Sequence, residues 1–331
     1  MWHVSNGKNH RMTQSPTRNN QELLVLGGSA SVNLTQNICQ HLGLAPAQRD
    51  VLRFSDGNTF VRVGENVRGR HIYLVQSVVF PSNDNFMELL FWIDALKRAS
   101  AASVTVIMPY FSYVKGDKKD EPRVSIRARV CADAIEVTGA DRVVTLDMLP
   151  PQVQGFFHIP VDNLYALSLF CETIKAKQLP DLVIVSPDIG FAKQAAKYAA
   201  YLGTDLAIGN KERRGHDERA EVMGIIGDVQ GKTAIIVDDF TISGGTLVEA
   251  AKQLVQHGAS QVYAAVTHGA FSAGSMERIM DSPIQQLLIT DSIETQTVPF
   301  CEKIEVISVA PLLAEAIRRI HHHESLSVLF E

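Results

Sequence analysis

No apolar run in this chain approaches the ~20 residues that a membrane-spanning helix needs; the hydrophobic stretches are strand-sized. Cysteine is scarce. Four are scattered at 39, 131, 171 and 301, with no C-x-x-C pair. That excludes a disulfide framework and fits a reducing compartment. Positive charge is not in excess: 31 Lys and Arg face 36 Asp and Glu, a net charge of −5. There is no electrostatic footprint for nucleic acid and no basic patch for a membrane surface. The first twenty residues are polar and lack the apolar core of a signal peptide; they read as a disordered extension, with Met12 an alternative start. These absences describe a cytoplasmic chain that handles any phosphate locally, with a few Lys and Arg.

What is present is a large apolar share, 46% of 331 residues. That is enough for two domains, each with its own core. Short apolar runs such as "LLVLGG", "HIYLVQS", "SVTVIMPY", "DRVVTLD", "DLVIVSPD", "DLAIG", "TAIIVDD", "QVYAAVTHG", "QLLITDS" and "KIEVISV" alternate with helical patterns. The helical "IGFAKQAAKYAAYLG" and "GTLVEAAKQLVQHG" both end on Gly, a common helix stop. The alternation predicts an α/β fold with mainly parallel sheets flanked by helices. A boundary near "HIPVDNLYA" divides the chain into related halves, 21–162 and 163–309, with a C-terminal helix and tail over 310–331. Two charged, poorly periodic segments, "YVKGDKKDEPRVS" (113–125) and "NKERRGHDERAE" (210–221), follow predicted strands. Ligands bind at the C-terminal ends of strands in open α/β sheets, so both are candidate active-site loops.

The strongest motif is "IIVDDFTISGGTL" (235–247). An apolar strand stops on Asp238 and Asp239, and a Ser243-Gly244-Gly245-Thr246 turn opens a helix. Backbone N–H groups at a helix start favour an anion, and the glycines allow close approach. Carboxylates at the strand end can hold ribose hydroxyls, directly or through Mg²⁺. The competing reading is a plain helix cap after a Gly turn; the acid pair favours the sugar phosphate. "VSPDIGFAK" repeats the layout, and its Asp188 either ligates Mg²⁺ or caps the following helix. "GDVQGKT" (227–233) is one residue short of a nucleotide-binding loop and precedes a strand, so it is a turn. "HHH" (321–323) reads as a solvated helix end, and the cysteines as small buried hydrophobes.

Several long segments together resemble the ribose-phosphate diphosphokinases, also called phosphoribosyl pyrophosphate synthetases. They are "FSDGNTFVRVGENVRGRHIYLVQS", "NDNFMELLFWIDALKRASA", "QVQGFFHIPVDNLYA", "EVMGIIGDVQGKTAIIVDD" and "SVAPLLAEAIRRI", in order along the chain. The resemblance covers nearly everything after residue 20. It implies two phosphoribosyltransferase-like domains, a homo-oligomer (a hexamer built from dimers), ATP and ribose 5-phosphate as substrates, and Mg²⁺ as cofactor. The implied reaction transfers the diphosphoryl group of Mg-ATP to C1 of ribose 5-phosphate, with AMP leaving.

Residue by residue, the resemblance makes Lys211 and Arg213 the catalytic pair. It makes Asp238, Asp239, Ile242 and Ser243–Thr246 the ribose 5-phosphate loop, and Asp188 metal-linked. It puts Phe54, Asp56, Asn58, Lys115 and Gly116 at ATP. Four features depart from the family pattern. Leu149 stands where the family has a metal-linked His, in "DMLP" for Asp-Leu-His-Ala. Asn58 replaces a Glu of the adenine site. Lys115-Gly116 replaces an Arg-Gln pair. Ile242 replaces a third acid. His216, Asp217 and Glu218 are candidate substitute ligands on the 210–221 loop. Three other readings stay open: a diphosphokinase with an altered nucleotide or acceptor, a weakly catalytic regulatory partner of a complete synthetase, and a plain phosphoribosyltransferase.

Overall fold

The computed structural model describes residues 23–212, 221–294 and 301–330. The expected extension over 1–20, Arg213 and the His216–Glu218 group lie outside them. No helix among the described residues is long and apolar enough to cross a membrane.

The N-terminal half alternates strands and helices in chain order: β1 (Leu23–Gly27), α1 (Val32–Leu42), β2 (Arg49–Arg53), β3 (Thr59–Val63), β4 (His71–Val75), α2 (Ser82–Arg98), β5 (Ser103–Met108), α3 (Arg127–Thr138), β6 (Arg142–Leu146) and β7 (Val161–Leu164). The sheet order is β1-β4-β5-β6-β7, and every pairing is parallel. Its strands are almost wholly buried, as expected where helices cover both faces. β2 and β3 form a separate antiparallel hairpin. Its alternately exposed residues give only a weak apolar run, so the sequence pattern does not pick it out.

The C-terminal half follows with α4 (Leu167–Ala176), β8 (Leu182–Ser186), α5 (Ala192–Leu202), β9 (Asp205–Glu212), β10 (Glu221–Ile226), β11 (Thr233–Thr241), α6 (Gly245–Gln256), β12 (Gln261–Gly269), α7 (Ser275–Met280), β13 (Ile284–Thr290), β14 (Ile304–Ile307) and α8 (Ala310–His321). The order is β10-β9-β8-β11-β12-β13-β14, with only β10 antiparallel to its neighbour. Residues 227–232 are the expected turn into β11, with Gly227 and Gly231 at positive φ. α5 stops at Gly203, a left-handed cap. α6 stops one residue earlier than expected, at His257, with Gly258 at φ 88° following.

The division of the halves differs from the expected one. β7 runs across residue 162 and pairs with β6, so the sheets part after residue 164. They are not independent cores either. One apolar cluster joins Val25 and Tyr73 of the first half to Ile184 and Ile235 of the second, and Leu313 and Ile317 of α8 complete it. Cys39, Cys131 and Cys171 are buried, Cys301 is partly exposed, and all four are free thiols. His321 closes α8 with its ring 5.7 Å from that of His71, so only part of the His run is a solvated end.

Candidate active site

β11 sits between β8 and β12, and this makes its C-terminal end special. The pairing with β8 stops at Ile236, while the pairing with β12 continues to Thr241. The strand therefore does not end on the two acids, as the apolar run suggests; it passes through them with one edge free. Asp238 and Asp239 stand on that free-edged stretch. The Asp239 N–H donates to Asp238 Oδ1 (3.0 Å), and the Phe240 N–H to Asp239 Oδ1 (2.9 Å). Burial, then repulsion from Asp239, pushes the Asp238 carboxyl well above the usual range. Burial also raises Asp239, with Lys115 acting the other way. Two adjacent carboxyls in a half-dry cleft are a site for positive charge or for sugar hydroxyls.

The turn that follows is built for an anion. Gly244 caps α6 at φ 72°, a conformation that costs any other residue strain. An added Cβ there would also come within 3.2 Å of Ile279 Cγ1. Ser243 Oγ accepts from the Gly245 N–H at 3.3 Å, and Arg278 on α7 braces the turn through the Ser243 carbonyl. Thr246 is exposed. The twelve-residue α6 aims its positive end here.

Two more walls close the cleft. Asp188, just after β8, accepts from the Phe191 N–H at 3.1 Å, one residue before α5 begins, and also lines the cleft. α5 contributes Lys193 and Lys197 one turn apart. The β6–β7 connection contributes Leu149, and Tyr165 follows. Together with Ile242–Thr246 these residues line one cleft of about 780 Å³.

The side chains behind Leu149 tie the two halves together. Asp147, at the end of β6, accepts from the Thr267 hydroxyl (2.7 Å) and the Ala166 N–H (3.1 Å). Burial outweighs both bonds and lifts its carboxyl to about 6. His268 Nε2 meets the Leu146 carbonyl at 3.0 Å, and Nδ1 meets Ser292 Oγ at 2.8 Å. A carbonyl only accepts, so Nε2 carries the proton. Burial pushes this imidazole down to about 4 and keeps it neutral.

The expected ATP residues divide. Lys115 ends a 3-10 turn after β5 and reaches the C-terminal half, with Nζ 3.5 Å from the centre of the Phe240 ring. Gly116 beside it has no room for a side chain, because a Cβ would lie 2.6 Å from Arg127 Nε. Phe54, Asp56 and Asn58 occupy the β2–β3 turn, held by Phe54 N–H to the Asn58 carbonyl (2.8 Å) and Asn58 N–H to Asp56 Oδ1 (3.0 Å). They do not line the cleft, and Phe54 is half exposed. Lys211 lies on β9, paired with Val222. Sequence reading missed Asp147, Tyr165, Lys197, Phe240 and His268. Asp147 and Phe240 stand inside quoted motifs without having been singled out, and only the strand order brings Tyr165, Lys197 and Phe240 to the cleft and Asp147 and His268 to the wall behind it.

An acid pair and a glycine-capped anion turn at the C-terminal end of a parallel strand, on a chain of two such sheets, define the phosphoribosyltransferase-like class. Comparison with known proteins narrows the class. A profile of the N-terminal domain of ribose phosphate pyrophosphokinase matches residues 23–139, and one of the phosphoribosyl synthetase-associated domain matches 216–331. The ribose-phosphate pyrophosphokinase of Caldanaerobacter subterraneus is 46% identical over 95% of this chain and 99% of its own. That of Chromobacterium violaceum is 46% identical over 93% and 94%. The crystal structure of phosphoribosylpyrophosphate synthetase from Mycobacterium smegmatis superposes with a TM-score of 0.86 at 36% identity, over 91% of this chain and 99% of that one. The chain belongs to the ribose-phosphate pyrophosphokinase family.

Proposed function

We propose that this chain transfers a diphosphoryl group from ATP to ribose 5-phosphate. The observation that carries the reading is the union, in one cleft, of the Asp238–Asp239 pair, the Ser243–Thr246 turn and Asp188. The turn binds the 5-phosphate through backbone N–H groups and the α6 terminus. The acids orient the ribose hydroxyls. The anomeric hydroxyl gives its proton to solvent water as its oxygen bonds to the β-phosphorus. The bond from that phosphorus to the α–β bridging oxygen breaks, and AMP leaves with the oxygen. Lys211 and Arg213 stabilise the negative charge on the transferring phosphates.

Mg²⁺ fits the donors present. Asp188, Asp238 and Asp239 offer carboxylate oxygens, the ligands a hard cation takes. Among the described residues no group of three or more His, Cys, Asp or Glu could hold an ion unaided; Mg²⁺ bound through one or two carboxylates plus substrate phosphates matches that. When bound, the ion neutralises phosphate oxygens. Phe54, Asp56 and Asn58 stand off the cleft, so we assign them to a nucleotide shared with a second copy of the chain, in keeping with a dimer-based hexamer.

The test is AMP release from Mg-ATP, with and without ribose 5-phosphate, on protein freed of host synthetase. AMP that appears only with the sugar phosphate supports the reading. No AMP under either condition refutes it.

A further inference from the structure

A second cavity, of about 300 Å³, lies beside the cleft and shares a wall with it: Leu149, Tyr165, Phe191, Gln194 and Lys197 line both. Leu329 and Phe330, near the end of the chain, also wall it. The tail after α8 is tied down. Arg318 pairs with Glu324 at 2.8 Å, and Arg319 Nη1 donates to the Ser325 carbonyl at 2.9 Å. Leu326 and Leu329 pack against the apolar cluster common to both halves. This sets the Phe330 ring edge-on to Tyr165, with 6.2 Å between centres. The Lys197 ammonium lies over the same Tyr165 ring, 5.1 Å from its centre. Tail, tyrosine and cleft lysine are thus in series.

The seat of Lys197 differs from a similar one nearby. Lys175 also lies over a ring, that of Tyr201, at 4.3 Å. There Glu172 answers both partners: it pairs with Lys175 at 3.4 Å and accepts from the Tyr201 hydroxyl at 2.9 Å. Such an ion pair is self-contained. Lys197 pairs with no carboxylate among the described residues, and it lines the cleft. An aromatic face holds an ammonium without neutralising it, so the charge stays available to phosphate oxygens. We propose that Lys197 contacts the phosphate oxygens of the substrate, and that Phe330 is a positioning residue for it, acting through Tyr165. The C-terminal tail of the chain then braces a cation of its own cleft.

Calorimetry with inorganic diphosphate and Mg²⁺, on the full chain, tests this. Lys197→Met should weaken binding about tenfold. Phe330→Ala should weaken it about fivefold, through loss of the cation–π seat. Phe330→Tyr, which keeps the ring, should stay within about twofold of wild type. The double variant should bind within about twofold of Lys197→Met alone, because the tail then has no cation left to place. Effects that multiply in the double variant overturn the proposal, since the tail would then act by another route. Wild-type affinity in Lys197→Met or in Phe330→Ala also overturns it, as does a wild type that binds no diphosphate. In AMP release, kcat/KM for Mg-ATP should fall in the same order; that readout rests on the proposed function. If wild type releases no AMP, the proposed function fails, and the diphosphate comparison still decides the part played by Lys197 and the tail.

Discussion

Asp147→Asn should stabilise the protein at neutral pH, and only there. The Asp147 carboxyl is lifted from 3.8 to about 6 because burial outweighs its bonds to Thr267 and Ala166. That rise means the native state disfavours the charged form by about 3 kcal/mol. Part of its surface opens on two cavities, and water there would trim the figure to ~2 kcal/mol. Asn mimics the protonated acid and still accepts both hydrogen bonds. The gain should be complete above about pH 7, where wild-type Asp147 is charged in both states. It should fade as the pH falls toward 4, because the native wild type takes up its proton first. His268 has the opposite slope: its imidazole is pushed from 6.5 down to about 4, so its contribution is present above 6.5 and lost as the pH falls toward 4. In wild type the two trends largely cancel. Asp147→Asn loses the trend that offsets His268, so its stability relative to wild type should fall by about 2–3 kcal/mol from pH 7 to pH 4, the groups common to both proteins cancelling in the comparison. Urea unfolding at pH 7.5, 6 and 4.5 reads both effects. No gain at pH 7.5, or a gain that persists unchanged at pH 4.5, would refute the reasoning.

Gly244→Ala should cost about 1–2 kcal/mol of stability from the left-handed backbone alone and weaken ribose 5-phosphate binding roughly tenfold by calorimetry; an unchanged Kd would count against the anion turn. Lys211→Ala should lower kcat for AMP release roughly 10²–10³-fold with substrate KM values little changed; normal turnover would remove Lys211 from the mechanism. Glu88→Ala should destabilise by about 2–3 kcal/mol, because the partly buried Ser29 N–H and hydroxyl and the buried Trp92 indole N–H lose their acceptor. Denaturant melts give the size, and the Trp92 emission should shift as its indole N–H loses Glu88.

The alternation of strands and helices was legible because buried parallel strands leave unbroken apolar runs. The β2–β3 hairpin was not, since its residues alternate in and out of solvent. β7 is four residues long, too short for a periodicity to register, and it misled the boundary. In the site, the 235–247 stretch was readable because its acids and glycines are contiguous. Its strand end was not: whether β11 stops at Asp238 depends on β12, which still pairs at Thr241. Asp147 and His268 are single residues 121 positions apart, and no local pattern announces that they share a wall. Lys115 read as a loop residue near a nucleotide; only the fold sets it against Phe240.

The clearest limit of local reading lies in the first half, which carries the same device as the second. β1 ends in Gly27-Gly28-Ser29-Ala30-Ser31 and α1 follows, as β11 runs through Ser243–Thr246 into α6. In the first half the loop's donors are already taken. Glu88 on α2 accepts from the Ser29 N–H (2.8 Å) and the Ser29 hydroxyl, and Gln76 accepts from the Ala30 N–H (3.1 Å). The loop is also packed tight: a Cβ on Gly28 would lie 2.0 Å from Gln76 Oε1. Glu88 is fully buried, so its carboxyl stands where an anion's oxygens would otherwise stand. In the second half the equivalent donors face an open cleft of about 780 Å³. One motif therefore serves as a sealed structural joint in one domain and as a ligand cradle in the other. The difference is set by a helix residue some sixty positions away, Glu88, and by the strand neighbour that leaves the edge of β11 uncovered.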